Sequence, residues 1–198
     1  MKHEIFKALM FATVMLSSTV ASNGETPKGW FAAGSHPKDY EMSLDRTGAH
    51  GGNACAYLKS VVAETGGFGT LMQMFKADEY RGKRVRMSGY VKAKDVSDWA
   101  GLWMRVDGAK KDEMLAFDNM QDRAIKGTQD WKKYEIVLDV PENSEMVAFG
   151  LLLSGKGQVW MDDLQFEVVG KDVPTTGRTT AGVASRTAKT PLNLNFEE

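Results

Sequence analysis

What constrains this chain most is the rhythm of its apolar runs. From Trp30 to Val169, short stretches rich in β-branched and aromatic residues follow one another, punctuated by Gly, Asp and Asn turns. No segment long enough for a helix carries a 3.6-residue period. The runs are YEMSLDR (40–46), NACAYLKSVV (53–62), LMQMFKA (71–77), RVRMSGYVKAKDV (84–96), WAGLWMRVDG (99–108), EMLAFDNM (113–120), KYEIVLDV (133–140), EMVAFGLLLSG (145–155) and QVWMDDLQFEVV (158–169). Strands of this length, recurring every 8–12 residues or so, predict an all-β sandwich or barrel. Only ADEYRGK (77–83) suits a helical turn.

A chain of 198 residues holds one domain with a real core and is short for two. The net charge of -1, with signs mixed, excludes the basic face that nucleic acid requires. Cys55 is the one cysteine, so no intramolecular disulfide forms. In a strand such as NACAYLK it reads as a small buried thiol, and His50 is the one nearby base if it were a nucleophile. There is no Gly-x-Ser-x-Gly elbow, His-rich metal motif or phosphate loop; GGFG and GKGQ are turn glycines. No carboxylate pair stands out for glycoside cleavage, and the chain reads as non-catalytic.

Both ends differ from the middle. MKHEIFK carries lysines at 2 and 7, the uncharged run ALMFATVMLSSTV follows, and small residues come next in TVAS. This predicts a secretory signal peptide over 1–22, too short to span a bilayer, and a secreted or periplasmic protein with no membrane insertion once the leader is removed. The competing reading is an N-terminus retained in the cytoplasm. Past Val169, GKDVPTTGRTTAGVASRTAKTP (170–191) is rich in Thr, Gly and Ala without apolar period, and reads as a flexible linker. Order returns in LNLNFEE, where Leu192, Leu194 and Phe196 share one face by the period-2 rule.

GTQDWKKYEIVLDVPENSEMVAFGLLLSGKGQVWMDDLQFEVV (127–169) sets a Trp, a strand ending in Val-Pro, an apolar strand, Gly-x-Gly and an apolar-Asp-Asp-Leu strand in series. It resembles the C-terminal half of a jelly-roll carbohydrate-binding module of the galactose-binding-like type. PKGWFAAGSHPKDYEMSLDRTGAHGGNACAYLKS (27–60) resembles the first half, so the likeness covers about 27–169. It implies a jelly-roll β-sandwich and a binding role, with saccharide the leading ligand class. Related domains accompany extracellular hydrolases, and some are fused to helix-turn-helix regulators. In such modules an Asn-x-x-Phe-Glu strand precedes the Gly-Trp pair; here NLNFEE (193–198) stands at the C-terminus, which implies a permuted first strand over 192–197. About 20 linker residues reach roughly 65 Å, against a radius of gyration near ~15 Å. The linker is thus long enough for the strand to fill its gap in cis, which is the leading reading. Donation to a neighbour, giving a strand-swapped oligomer rather than a monomer, and the stub of a second domain are the other readings.

Alternation sorts the candidate site residues. Val85, Met87 and Val91 oppose Arg84, Arg86, Tyr90 and Lys92, while Leu102, Met104 and Val106 oppose Trp99, Trp103, Arg105 and Asp107. The second sets are expected to share one face away from the core. Trp103, Trp99, Tyr90, Arg86 and Arg105 would there form a sugar site, with rings stacking on pyranose CH groups and Arg bonding hydroxyls. The competing reading covers these aromatics with the 36–52 loop or the linker as a second small core. Extending the parity of Leu164 and Phe166 puts Trp160 and Asp162 on the inward side. The resemblance implies a structural Ca²⁺ held by Asp162 and Glu197 with carbonyls near His50 to Asn53. A carboxylate accepting backbone or Trp N–H bonds is the alternative. The functional classes left open are saccharide binding, a protein-interaction or scaffold domain, and a ligand-sensing domain of the regulator-fused kind.

Overall fold

The computed structural model describes residues 26–179, 191 and 193–197. The expected leader (1–22), residues 180–190 of the linker and Leu192 lie outside the described residues. Ten strands are present: β1 (Phe31–Gly34), β2 (Tyr40–Asp45), β3 (Cys55–Ser60), β4 (Phe68–Lys76), β5 (Arg84–Gly108), β6 (Met114–Asp118), β7 (Ile125–Asp139), β8 (Ser144–Ser154), β9 (Gln158–Val169) and β10 (Arg178–Thr179). Ala77–Glu79 makes a 3₁₀ turn where ADEYRGK predicted one, but Pro37–Asp39 and Gln121–Arg123 make two more, so that segment is not alone in turning helically.

The two runs at 84–96 and 99–108 are one strand of 25 residues. The first half of β5 is paired with β9 on one side and β7 on the other. Its second half pairs with β8, and over Met104–Asp107 with β6. β5 therefore belongs to two layers. The first sheet runs β1-β4-β8-β5-β6-β10 and the second β2-β3-β9-β5-β7. KDVSDW, at the junction, has no Gly or Pro to end a strand. Register shifts between Val91 and Ala100, with Asp95 at φ 53°, bend it instead. The bulge also shifts parity: the core takes Val85, Met87, Val91 and Ala93, then Val96, Ala100, Leu102, Met104 and Val106.

Between the layers Phe166 of β9 meets Phe75 of β4 and Phe149 of β8 edge-on, with centroids 5.4 and 4.9 Å apart. Trp30 packs edge-on against Phe149 at 5.2 Å and lies 5.3 Å from Phe196. The fold is the expected jelly-roll β-sandwich. β1, β10 and the first eight residues of β7 were not foreseen, because FAAG, RT and IKGTQDWK have no apolar alternation to announce them.

The C-terminal segment does enter the core of its own chain. Phe196 is fully buried, Leu194 packs against the cluster, and two carbonyls are anchored. Asn193 O accepts from Trp30 Nε1 (3.4 Å) and Leu194 O from Leu164 N–H (3.2 Å). Yet residues 193–197 form a turn, without strand pairing. Asn193 (φ 46°) and Phe196 (φ 59°) are left-handed, which breaks the extended backbone that period-2 alternation presumes. One ring in the core and a few isolated hydrogen bonds, rather than a strand ladder, fasten this end. Phe196→Ala is expected to lower unfolding free energy by about 3–5 kcal/mol in urea melts, whereas Val168→Ala, at a half-exposed position, changes it by less than about 0.5.

Candidate functional site

Both layers turn an outer face away from the core, and the second sheet's carries the richer chemistry. Register aligns Ser43, Tyr57, Trp160 and Lys92 in one row across β2, β3, β9 and β5. Trp160 is half-buried. Its Nε1–H donates to Asp45 Oδ2 (2.8 Å), and Lys92 Nζ sits 5.3 Å above its ring. Tyr57 Oη donates to Glu41 Oε1 (2.5 Å); burial and that carboxylate push the phenol up to about 12, so it stays a donor. An open cleft of ≈ 440 Å³ beside Trp160 is lined by Lys92, Lys94, Asp95, Thr128, Gln129 and Asp130.

The next row places Asp162 opposite Tyr90. One extra residue in β9 there, with Asp163 at φ 49°, reverses the alternation between Leu164 and Trp160. Trp160 and Asp162 consequently face outward, contrary to the parity extended from Leu164. The 46–54 loop folds over Asp162. His50 stacks on Tyr90 (centroids 3.6 Å, 16°), meets Trp131 edge-on at 5.8 Å, and its Nδ1 lies 2.7 Å from Asp163 Oδ2. Beneath the loop Cys55 is fully buried, and desolvation pushes its thiol up to about 12, which removes it as a nucleophile at neutral pH.

Two carboxylates hold that loop. Asp162 Oδ2 accepts from the N–H groups of His50 (2.8 Å) and Gly51 (3.0 Å), and Oδ1 from Asp163 N–H (2.8 Å). Burial raises the Asp162 carboxyl above its usual range, with those three donors opposing. Glu197, from the far end of the chain, accepts from the N–H groups of Asn53 and Ala54 and from Asn53 Nδ2 (2.9 Å). These bonds lower its carboxyl. Gly52, at φ 61°, lies against Glu197 so closely that a Cβ would collide with Oε1. The expected calcium pair thus faces N–H groups, not carbonyls, and a cation there would meet the positive ends of those dipoles. The donor set does not fit Ca²⁺. Among the described residues no group of three or more His, Cys, Asp or Glu is placed to hold a metal.

The five expected sugar-contacting residues do not converge. Tyr90 and Arg86 lie on the second sheet's outer face, Trp99, Trp103 and Arg105 on the first sheet's, because β5 crosses between layers. Tyr90 is capped by His50, and Arg86 is paired with Glu135 (3.2 Å) and Glu167 (3.0 Å). Trp103 is 7% exposed in a cluster with Met72, Ala148 and Leu152, flanked by half-buried Trp99 and Phe117. Its Nε1 donates to Thr70 Oγ1 (2.7 Å). Arg105 binds Asp107 Oδ2 (2.8 Å), whose carboxyl is raised by burial. The 36–52 loop covers Tyr90 through His50, as the covered-aromatic alternative had it, whereas Trp103 is buried by residues of its own sheet and neither by that loop nor by the linker. Alternation placed Lys92 on the outer face without assigning it to the site, Trp131 was not singled out, and Trp160 was expected inward; the β9 bulge brings Trp160 to the surface.

No family model matches the chain. Solved structures do. A xylan-binding CBM22-1 domain of Xyn10C from Paenibacillus barcinonensis superposes with a TM-score of 0.51 at 20% identity, over 74% of this chain and 90% of that one. The fold is that of the carbohydrate-binding modules. CBM22-1-GH10 modules of Clostridium thermocellum Xyn10B give 0.52 at 12% identity, over 72% of this chain and 26% of that one. A Stig cyclase, Fisc, from Fischerella sp. TAU gives 0.50 at 15% identity, over 73% and 87%. In sequence the chain is 52% identical over 172 residues to an uncharacterized HTH-type transcriptional regulator, YbfP, of Bacillus subtilis (strain 168). That match covers 86% of this chain but only 57% of the regulator.

Two outcomes check this site. Adding EGTA leaves the melting temperature unchanged if N–H groups fill both carboxylates; a rise on adding CaCl₂ would restore the calcium reading. Because its folded-state pKa is lowered, Glu197 stabilises the fold above its ordinary 4.5 and ceases to as pH falls below that value. Glu197→Ala should therefore lower the melting temperature at pH 7, with the deficit shrinking on acidification below about pH 4.

Proposed function

We propose that this chain is a non-catalytic binding domain for saccharides, and that the sugar lies on the outer face of the second sheet. The observation that carries the reading is the row of Tyr57, Trp160 and Lys92 beside an open cleft, with Trp131 and the His50–Tyr90 stack at its flank. Half-buried rings offer faces to pyranose CH groups. Lys92, Asp45, Glu41, Gln129 and Thr128 supply donors and acceptors around them, the mixture a polyhydroxyl ligand needs. Similarity in fold to a xylan-binding domain agrees with this assignment.

A second reading rests on a different observation. The 52% identity to a protein named as a helix-turn-helix regulator favours a sensing role, in which the same face binds an effector. Export through residues 1–22 goes with the first reading and retention of those residues with the second. N-terminal sequencing of the protein from its host separates them, since retention preserves residues 1–22.

Titrating tryptophan emission against neutral and acidic oligosaccharides tests the binding claim. A saturable change is expected, weakened by about tenfold in Trp160→Ala, the loss of one stacking partner, and retained in Trp99→Ala. No response to any oligosaccharide would overturn the saccharide reading.

A further inference from the structure

We infer that the ligand of this face is an acidic saccharide, its anionic group held by lysines of β7. The inference rests on the saccharide reading and narrows its chemistry. The cleft beside Trp160 adjoins a larger one of ≈ 810 Å³ lined by Arg123, Lys126, Lys132, Lys133, Glu135 and Thr176, and Gln129 lines both. Among the described residues several arginines are already paired: Arg84 with Asp139, Arg86 with Glu135 and Glu167, Arg123 with Asp118 and Asp122. Among the described residues Lys92, Lys94, Lys126, Lys132 and Lys133 have no carboxylate partner, and all five line these two clefts. The carboxylates between them are engaged. Asp95 Oδ1 accepts from Thr128 Oγ1 (3.1 Å), Asp130 Oδ1 from Trp131 N–H (2.8 Å), and Glu135 is held by Arg86. Bonds from neutral donors leave the Asp95 and Asp130 charges in place, but five lysines against these two carboxylates still leave positive charge in excess where the aromatic row ends.

The second observation is an orphan donor. Gln129 Oε1 accepts from Tyr134 Oη (2.9 Å), which leaves Nε2 turned away; that nitrogen is buried without a hydrogen-bond partner. A buried amide N–H without an acceptor is costly; Gln129 lines both clefts, and a turn of its side chain would bring that N–H to an anionic oxygen bound there. β7 is paired only with β5, and lysines on such an edge also deter unwanted strand pairing. Edge protection accounts for the charge but not for the orphan amide. Carboxylate, sulfate and phosphate groups share the required chemistry, and a uronic acid is the simplest saccharide source.

The test is calorimetric titration of the full chain with oligogalacturonate, its methyl ester, a neutral oligogalactan, glucose 6-phosphate and inorganic phosphate, at low and high salt. Expected is binding of oligogalacturonate that weakens as salt is added and falls by about tenfold in Lys126→Ala/Lys132→Ala/Lys133→Ala, from three exposed charge contacts. Gln129→Glu, which keeps the acceptor for Tyr134 Oη and replaces the amide donor by a negative charge, should weaken it further. Equal affinity for ester and acid, indifferent to the triple variant, would overturn the acidic inference while leaving saccharide binding intact. Binding of glucose 6-phosphate in preference to the uronide keeps the anionic site and reassigns its source. Inorganic phosphate binding as tightly as any sugar would sink both inference and saccharide reading, as would silence from the whole set.

Discussion

β5 is hydrogen-bonded into both layers of the sandwich, and the rest of the molecule depends on that. The bend around Asp95 lets one strand supply the core on both sides of the turn. It also sends the aromatic side chains of its two halves to opposite surfaces. Trp103 and Tyr90, thirteen positions apart in sequence, consequently never share a site. One surface closes into a small second core around Trp103. The other stays open, and its shape is finished by elements from elsewhere in the chain.

The 46–54 loop does this finishing. Asp162, beneath it, and Glu197, from the C-terminal segment, each take two or more of its N–H groups. Glu197 is in place because Phe196 is buried between Trp30 and the core. Docking of the chain's end is thus mechanically continuous with the loop that lays His50 on Tyr90. Carboxylates that resemblance suggested for a cation are used here as acceptors for backbone.

The architecture was legible because strand alternation and turn residues are local signals, and the core list of β5 follows from them almost residue by residue. Where the expected site residues were misplaced, breaks in strand register were responsible. An inserted residue in β9 reverses the direction of Trp160, and another near Asp95 separates Trp99 from Tyr90. Bulges carry no composition signal in KDVSDW or MDDL, so parity cannot be carried across them. Likewise, the burial of Phe196 was visible in its apolar alternation, but the left-handed turn that delivers it was not. Unpaired lysines on β7 are evident only after the partners of every other cation are known.

The central claim is that ligand meets the second sheet and not the first. Indole N–H resonances report it directly, since the five tryptophans give separate signals. On titration with oligogalacturonate, the account predicts shifts at Trp160 and Trp131 while Trp103 and Trp30 remain still. Shifts confined to Trp99 and Trp103 would place the ligand on the opposite face and contradict it.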